Sequence, residues 1–429
     1  MSGTVLIYTP QLTNRVQYTF ELIFKYILKI PIDFTDDFMA FKNHEGVKLN
    51  YSDKKTNSSL SFTPHGLLHQ TGFKNQETKV FSIADTKAFF KTNQNDTLNF
   101  DLFAAAFYLT TRYEEYLPHE ADEHNRYIAQ QSIAVKNNFI DKPVVNQWTL
   151  LLKEKIKERY PNFQFPTTDF RHIVTIDVDR AYAYKGNTNI KVAAGLLKNT
   201  AQLNLNDIKN RTQTLLNKQK DPYDVYNYLA KIQQEFKVDF QYFFLLGDNS
   251  KFDNNIPYNS TSLKNLIKDL DAEIGIHPSY FSDKKPAILK EEIKRLENIT
   301  GNQVTQSRQH FIKLQFPSTY QKLLDNSITD DYSMGYHDTP GFRAGVCTPY
   351  PFYNLTKEKT TSLLIHPFAI MEKALINDKD EERRKKITML IDKIKAVNGM
   401  FYSVWHNDSF SEEFHGNQWK QLLEFSIKY

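Results

Sequence analysis

The sequence has a single cysteine, Cys347, so no disulfide can form within the chain. Thiol chemistry would rest on that one residue, and a packed cysteine is the commoner role of a lone thiol. Long apolar runs are absent as well. The run from Val5 to Tyr8 is far shorter than the roughly 7–15 apolar residues of a secretory signal or the about 20 of a membrane span. We therefore expect a cytoplasmic protein without a transmembrane segment.

Neither positive nor negative charge is in clear excess. The net charge is only +4 over 429 residues, and no basic run is long enough to suggest a nucleic-acid groove. Hydrophobic residues make up 40% of the chain and charged residues 24%, interspersed as in globular proteins. The composition predicts a folded protein of two or three domains with no nucleic-acid partner, and it indicates no oligomeric state.

The pattern of predicted strands and helices changes at a segment that contains Pro161 and Pro166. After it, apolar strand candidates alternate with amphipathic helices such as Pro286 to Asn298. This alternation is typical of parallel β/α units, and seven or eight such units fit a closed barrel better than an open sheet. We therefore predict an α/β protein in which an N-terminal α/β domain, residues 1–165, precedes an irregular (β/α)7-type barrel, residues 170–429.

The strand candidates of this second domain locate its chemistry, because reacting groups in a parallel barrel lie at the carboxyl ends of the strands. The candidates are His172 to Ile176, Phe240 to Leu246, Glu273 to Ile276, Gln306 to Phe311, short pieces near Ile328 and Phe342, Leu363 to Ile365 and Met400 to Trp405. The first of them is followed by Asp177 and Asp179, which point to the same side because side chains alternate along a strand. Taken alone, the two acids are as easily explained by capping or solvation.

Three further strand ends carry basic groups. His277 follows the third strand, Arg308 and His310 stand two apart on the fourth, and His406 ends the last. A lone histidine at a strand end is more often a satisfied structural group, but the recurrence at several ends favours a shared site. One carboxylate and two imidazoles form the kind of ligand set that holds a catalytic zinc with a position open for water.

The order of these residues resembles the NodB-homology polysaccharide deacetylases, carbohydrate esterase family four. The matching positions are Thr175 to Asp179 for the motif T-F-D-D-G, residues 242–247 for the apolar second strand, His277 for the first histidine of H-x-x-x-H, Arg308 for the arginine of R-x-P, and His406 for the histidine of the final motif. The resemblance covers the chain after about residue 170 and implies an irregular barrel that removes acetyl groups from sugars with the help of a divalent metal, most simply zinc.

The chain also departs from the family pattern. Phe281 stands where the second metal histidine belongs, and His310 stands where R-x-P has proline. We expect His310 to replace the lost ligand, so that the metal set is Asp179, His277 and His310. The resemblance then makes Asp177 the general base.

The remaining roles also follow from the resemblance. Arg308 would hold Asp177 ionised and oriented, and His406 would be the general acid. The two aspartates could exchange roles, because Val178 separates them here whereas they are adjacent in the family.

Other polar residues after the linker are weaker candidates. Asp330 and Asp331 could orient His406 or simply begin a loop. Arg343 is expected to form a surface ion pair rather than to contact an anion. His366 also follows a predicted strand, as a metal ligand would, but the expected set already has enough ligands, so we do not expect His366 to bind the metal.

The expected function is hydrolysis of an acetyl group on an N-acetylated or O-acetylated sugar. A cytoplasmic enzyme of this kind would act on a soluble or carrier-linked carbohydrate rather than on an assembled wall polymer. Three alternatives stay open: a carbohydrate-binding module whose catalytic site has decayed, a metal-dependent hydrolase of a non-sugar amide, and a main function in the N-terminal domain, as a partner surface.

Overall fold

The computed structural model describes residues 3–54, 60–187, 193 and 205–429. The strands in these ranges are β1 (Val5–Tyr8), β2 (Ile32–Thr35), β3 (Lys48–Tyr51), β4 (Leu60–Phe62), β5 (Phe81–Ile83), β6 (Thr86–Ala88), β7 (Arg171–Val178), β8 (Asp239–Phe244), β9 (Glu273–Ile276), β10 (Gln306–Ser307), β11 (Asp330–Asp331), β12 (Tyr350–Asn354), β13 (Lys359–Ile365), β14 (Ile370–Met371) and β15 (Met400–His406).

The helices in the same ranges are α1 (Asn14–Glu21), α2 (Phe38–Asn43), α3 (Leu102–Thr110), α4 (Ile133–Lys136), α5 (Val144–Arg159), α6 (Leu205–Leu215), α7 (Tyr226–Phe236), α8 (Thr261–Asp269), α9 (Pro286–Thr300), α10 (Ser318–Asp325), α11 (Asp380–Lys395) and α12 (Gly416–Lys428). A π-helical turn, Leu22–Ile27, continues α1. Of the helices described, none combines the length and the apolar character needed to cross a lipid bilayer.

The first sheet has four parallel strands in the order β2-β1-β3-β4. Helix α3 packs in the core beside it, and every residue of this helix is buried. The helix begins at Asp101, whose buried carboxylate accepts hydrogen bonds from the Ala104 amide and from the Tyr51 hydroxyl at 2.8 Å. An acidic N-cap satisfies amides that the helix itself leaves unpaired, so α3 can lie wholly inside the core.

The second sheet has nine strands in the order β12-β13-β11-β10-β9-β8-β7-β15-β14. Neighbouring strands are parallel except for β12 and β13, which are antiparallel. The α/β class is therefore confirmed. Among the described residues, the edge strands β12 and β14 are not hydrogen-bonded to each other, so a closed barrel is not confirmed.

One face of this sheet surrounds a separate apolar cluster. Its members come from β7, β8, β14 and β15 and from the segments that follow β10, β11 and β13; they are Ile173, Phe243, Ile312, Tyr332, Phe368, Met371, Tyr402 and Val404. Side chains from distant strands meet there, as with Tyr332 and Tyr402, whose ring centroids lie 5.8 Å apart. The sheet is thus curved around this cluster, and the carboxyl ends of its parallel strands face one region.

Most predicted elements after the linker are present, with two differences. The predicted strand near Phe342 is wrong: Gly341, with φ of 136°, and Gly345, with φ of 65°, bend this segment into turns. The predicted strand Gln306 to Phe311 is shorter: it ends at Ser307, and residues 310–312 form a 3-10 turn in which Phe311 and Ile312 have φ values of 61° and 54°.

A buried group of charges joins the two parts of the chain. The Arg343 guanidinium donates to both carboxylate oxygens of Glu115, at 2.9 and 2.6 Å, and Arg112 donates to Glu115 at 2.7 Å. The expectation of a surface ion pair at Arg343 is wrong, since Arg343 and Glu115 are only 2% and 5% exposed. Burial without such pairing would cost several kcal/mol, so the charges fix how the two parts pack.

Candidate metal centre

Asp179, His277 and His310 meet at the carboxyl edge of the second sheet. The His277 Nε2 lies 3.1 Å from the Asp179 Oδ1, and the His310 Nε2 lies 3.6 Å from the same oxygen. One ligand atom from each residue falls within 4.8 Å of the other two, so the three residues could hold a metal ion. The predicted ligand set is therefore brought together.

The order of the strands explains this meeting. Asp179 directly follows β7, His277 directly follows β9, and His310 lies in the short 3-10 turn after β10. Strands β7 to β10 are consecutive parallel neighbours in the sheet, so their carboxyl ends lie side by side. His310 reaches the site from the turn and not, as expected, from an extended strand.

Each imidazole is oriented through its Nδ1. The His277 Nδ1 donates to the Arg308 carbonyl at 2.7 Å, and the His310 Nδ1 donates to the Asp253 carboxylate at 2.9 Å. Asp253 is itself held by the Tyr280 amide and the Ser250 hydroxyl. Outer partners of this kind fix the tautomer and the ring direction of a metal-binding histidine, and here they leave both Nε2 atoms directed toward Asp179.

The environment of the Asp179 Oδ1 atom suits a bound cation. This atom is buried, yet within the described part of the chain no donor makes a hydrogen bond to it. Burial by itself would raise the pKa of Asp179, but interactions with His310 and His277 hold it well below its usual range. A buried carboxylate oxygen without a donor is costly, and a cation shared with the two imidazoles would satisfy it.

Asp177 has a different environment from Asp179. Its Oδ1 accepts a hydrogen bond from the Arg308 Nη1 at 2.9 Å, and the same nitrogen donates to the Thr175 hydroxyl at 2.7 Å. Asp177 and Arg308 are 1% and 0% exposed. The guanidinium is fixed in turn by the Tyr332 carbonyl and lies over the Phe243 ring. Arg308 thus holds Asp177 in one orientation.

His406 stands opposite, at the end of β15. Its Nδ1 donates to the Glu372 Oε1 at 2.8 Å, and its Nε2 lies 3.9 Å from the Asp179 Oδ2. Burial would lower the pKa of His406, but the Glu372 carboxylate and Asp179 raise it to about 9. Glu372 also accepts from the Ser409 hydroxyl at 2.7 Å. His406 is therefore a fixed imidazole that readily carries a proton.

Two partners of the site were not predicted from the sequence, namely Glu372 and Asp253. The sequence offered Asp330 and Asp331 as the group that orients His406, and that interpretation is wrong. The Asp331 carboxylate accepts from the Ser333 amide and hydroxyl, at 2.9 and 2.8 Å.

Asp330 binds a different histidine. It lies 2.8 Å from the His366 Nε2, and the His366 Nδ1 lies 2.9 Å from the Tyr402 hydroxyl. Both ring nitrogens of His366 are thus engaged within the framework. Among the described residues, the group that could hold a metal contains Asp179, His277 and His310, and His366 lies outside it.

The site opens into a cavity of about 380 Å³. Asp177, Asp179, His277, His310 and His406 line it, together with Lys373 and, from the N-terminal part, His124 and Arg126. Two larger cavities, of about 530 and 640 Å³, contain none of these groups. Size alone would select the wrong cavity, whereas the clustered carboxylates and imidazoles select the smaller one.

Comparison with known proteins adds little beyond this geometry. Residues 5–161 match a family described as a family of unknown function, DUF7033. No curated protein matches the chain. A solved structure from Mycobacterium smegmatis, described as a polysaccharide deacetylase, is 12% identical, covers 62% of this chain and 86% of its own, and superposes with a TM-score of 0.40.

A second solved structure, from Pseudomonas aeruginosa PAO1, carries the same description. It is 11% identical, covers 63% of this chain and 90% of its own, and superposes with a TM-score of 0.36. Likenesses this distant decide neither fold nor activity, so the chemistry of this chain must follow from its own residues.

Proposed function

We propose that the chain is a metal-dependent hydrolase that removes an acetyl group from an N-acetylated or O-acetylated sugar. The observation that carries the proposal is the arrangement of three separate devices around one cavity. These are the ligand set of Asp179, His277 and His310, the Asp177–Arg308 pair, and the His406–Glu372 pair. The same three devices are what hydrolysis of an acyl group needs: a cation, a base and an acid.

The metal would be held by Asp179, His277 and His310, with the imidazoles binding through Nε2. A bound divalent ion such as zinc supplies Lewis acidity, which polarises a carbonyl and lowers the pKa of water from about 15.7 toward roughly 7. All other steps are assigned to side chains of this chain.

Asp177 is assigned as the general base. Its carboxylate lies at the cavity wall and is held in one orientation by the hydrogen bond from the Arg308 guanidinium. An ionised, oriented carboxylate can take the proton of an attacking water, and help of this kind contributes roughly 10²–10⁴ in rate. Asp179 is left as the ligand, since both histidines point to it and not to Asp177.

His406 is assigned as the general acid. Its Nδ1–H is bound by Glu372, so the proton available for transfer is on Nε2, which lies at the cavity. The leaving nitrogen or oxygen of the sugar would take this proton as its bond to the acetyl carbon breaks. Glu372 acts through His406, because it fixes the tautomer and stabilises the charged imidazole.

The cavity is consistent with a small substrate. Its volume of about 380 Å³ lies at the lower end of the range for small-molecule sites, roughly 300–1,000 Å³. We therefore propose a soluble or carrier-linked acetylated sugar. The same devices would also hydrolyse a non-sugar amide, and the loss of a histidine at Phe281 is what a decayed sugar-binding site would show.

Metal analysis combined with an activity screen tests the proposal. We expect the purified full chain to contain about one equivalent of zinc or a similar ion, and to release acetate from at least one N-acetylated or O-acetylated sugar. Acetate release from simple amides alone would move the assignment to the non-sugar hydrolase. Sugar binding without acetate release, in protein loaded with metal, would establish the binding module instead.

A further inference from the structure

A turn in the N-terminal part of the chain, residues 122–126, reaches the cavity of the candidate metal centre. The turn is held by its own bonds: the Asp122 Oδ1 accepts from the amides of His124 and Arg126, both at 2.9 Å. Asn125, in the left-handed region with φ of 60°, closes it. The turn lies within residues 5–161, the segment that matches the family of unknown function.

This turn contacts the backbone that follows a proposed metal ligand. The Arg126 Nη1 donates to the Phe311 carbonyl at 2.9 Å, while its Nε donates to Asp122 at 2.7 Å. The His124 ring lies 4.8 Å from the Phe311 ring, and its Nδ1 lies 3.0 Å from the Tyr280 hydroxyl. The turn therefore contacts both the loop after β9 and the loop after β10.

The backbone that Arg126 contacts, at Phe311 and Ile312, is strained. Phe311 and Ile312 both have positive φ, and for a bulky or β-branched residue this is a rare conformation that persists only where the surroundings impose it. These residues directly follow His310. A change of φ at these residues would shift the backbone next to His310 and with it the imidazole, whose Nε2 lies 3.6 Å from the Asp179 Oδ1.

We propose that Arg126 is a positioning residue of the metal centre, which makes the N-terminal part a working component of the site. Arg126 holds the Phe311 carbonyl, keeps the strained turn in place and so sets the position of His310. The proposal rests on the ligand set assigned under the proposed function, but not on the reaction or the substrate.

Zinc affinity of the full chain, measured by competition with a chromophoric chelator, tests this role. We expect Arg126→Ala to weaken zinc binding about tenfold or more, the lower end of the effect of outer partners of metal ligands. Asp122→Asn should change zinc affinity much less, because asparagine keeps an oxygen for the turn and Arg126 keeps its bond to Phe311.

Arg384→Ala is the matched control. Arg384 forms an ion pair with Asp380, four residues before it, just as Arg126 does with Asp122, but it lies on α11 and does not line the cavity. Its loss should leave zinc affinity unchanged. If Arg126→Ala does not fold, Arg126→Lys replaces it, since a single ammonium cannot reproduce the fork that serves Asp122 and Phe311 together.

Wild-type zinc affinity in a folded Arg126 variant would overturn the positioning role, and so would equal losses in all three variants. Failure of the proposed reaction looks different: the wild type would bind zinc, and Arg126→Ala would weaken it, while no acetylated sugar is hydrolysed. A wild-type chain that binds no zinc would overturn both proposals.

Discussion

The buried histidines of the second sheet fall into two groups that look alike in the sequence. His277, His310 and His406 each use Nδ1 for a hydrogen bond to a carbonyl or carboxylate, and their Nε2 atoms all face Asp179, at 3.1, 3.6 and 3.9 Å. His366 uses both nitrogens, for Asp330 and Tyr402. His172, at the opposite end of β7, is half-buried and belongs to neither group; its Nε2 lies 2.9 Å from the Ser403 hydroxyl.

The number of ring nitrogens that are already hydrogen-bonded distinguishes histidines of the candidate site from structural histidines. A ring with both nitrogens engaged holds its neighbours together and has no capacity left for a ligand. A ring held only by Nδ1, beside a carboxylate oxygen with no donor, keeps that capacity. Charge alone does not separate the groups, because His366 also has a carboxylate partner. The two groups differ in whether the second ring nitrogen is already hydrogen-bonded.

The largest effect should come from removing a ligand. His277→Ala and His310→Ala should each lose bound metal and activity together, because each removes one of three protein ligands and lowers metal affinity by more than the roughly 10–100-fold of an outer partner. Metal content after gel filtration measures this. The matched control is His366→Gln, a buried histidine beside the same sheet. If His366→Gln also empties the site, the division into two groups fails.

Next in size are the losses of the acid and the base. Asp177→Asn and His406→Ala should keep the metal and lower kcat by roughly 10²-fold or more, because neither side chain is a ligand in this assignment. Single-turnover kinetics on metal-loaded protein measures the effect. An empty site in Asp177→Asn, with a full one in Asp179→Asn, would show that the two aspartates have exchanged roles.

A smaller loss is expected when the partner of the acid is changed. Glu372→Gln keeps the shape of the side chain but removes the charge that stabilises protonated His406, so kcat should fall about tenfold or more at full metal occupancy. The same substitution at Glu424, a partly exposed acid on α12, provides the control. Unchanged kcat in Glu372→Gln would mean that His406 does not act as the acid.

The smallest effect concerns the framework and its dependence on pH. Burial lowers the pKa of His172 to about 3. Below the ordinary histidine value the unfolded chain takes up a proton that the folded protein refuses, so stability falls as the pH drops from about 6.5 toward 3, by at most about 1.4 kcal/mol per pH unit.

Denaturant unfolding across this range checks the sign. His172→Gln should flatten the dependence, whereas replacement of the exposed His415 should not alter it. A slope that His172→Gln leaves unchanged would show that the acid sensitivity has another source.

Local pattern was enough to predict the α/β class and to select three residues that lie close enough together to hold a metal ion. Asp179, His277 and His310 each lie at or near the carboxyl end of a strand that the apolar pattern identified, and parallel neighbours bring such ends together. The partners could not be found this way. Glu372 lies 34 residues from His406 and Asp253 lies 57 from His310, and no local signal marks either acid.

The other failures have the same physical origin. Arg343 was expected at the surface because its partner, Glu115, is 228 residues away in the chain. The strand was expected to continue to Phe311, and phenylalanine favours extended backbone; contacts from the N-terminal part override that preference. Local patterns do not show such distant contacts.

The buried charges that join the two parts also affect how the protein is made. Arg112 and Glu115 leave the ribosome long before Arg343, since 228 residues separate Glu115 from its partner. At a translation rate of roughly 5–20 residues per second, that interval lasts about 11–46 seconds. During it the nascent N-terminal part carries a face whose polar groups cannot yet be buried. We expect this face to remain hydrated until Arg343 emerges.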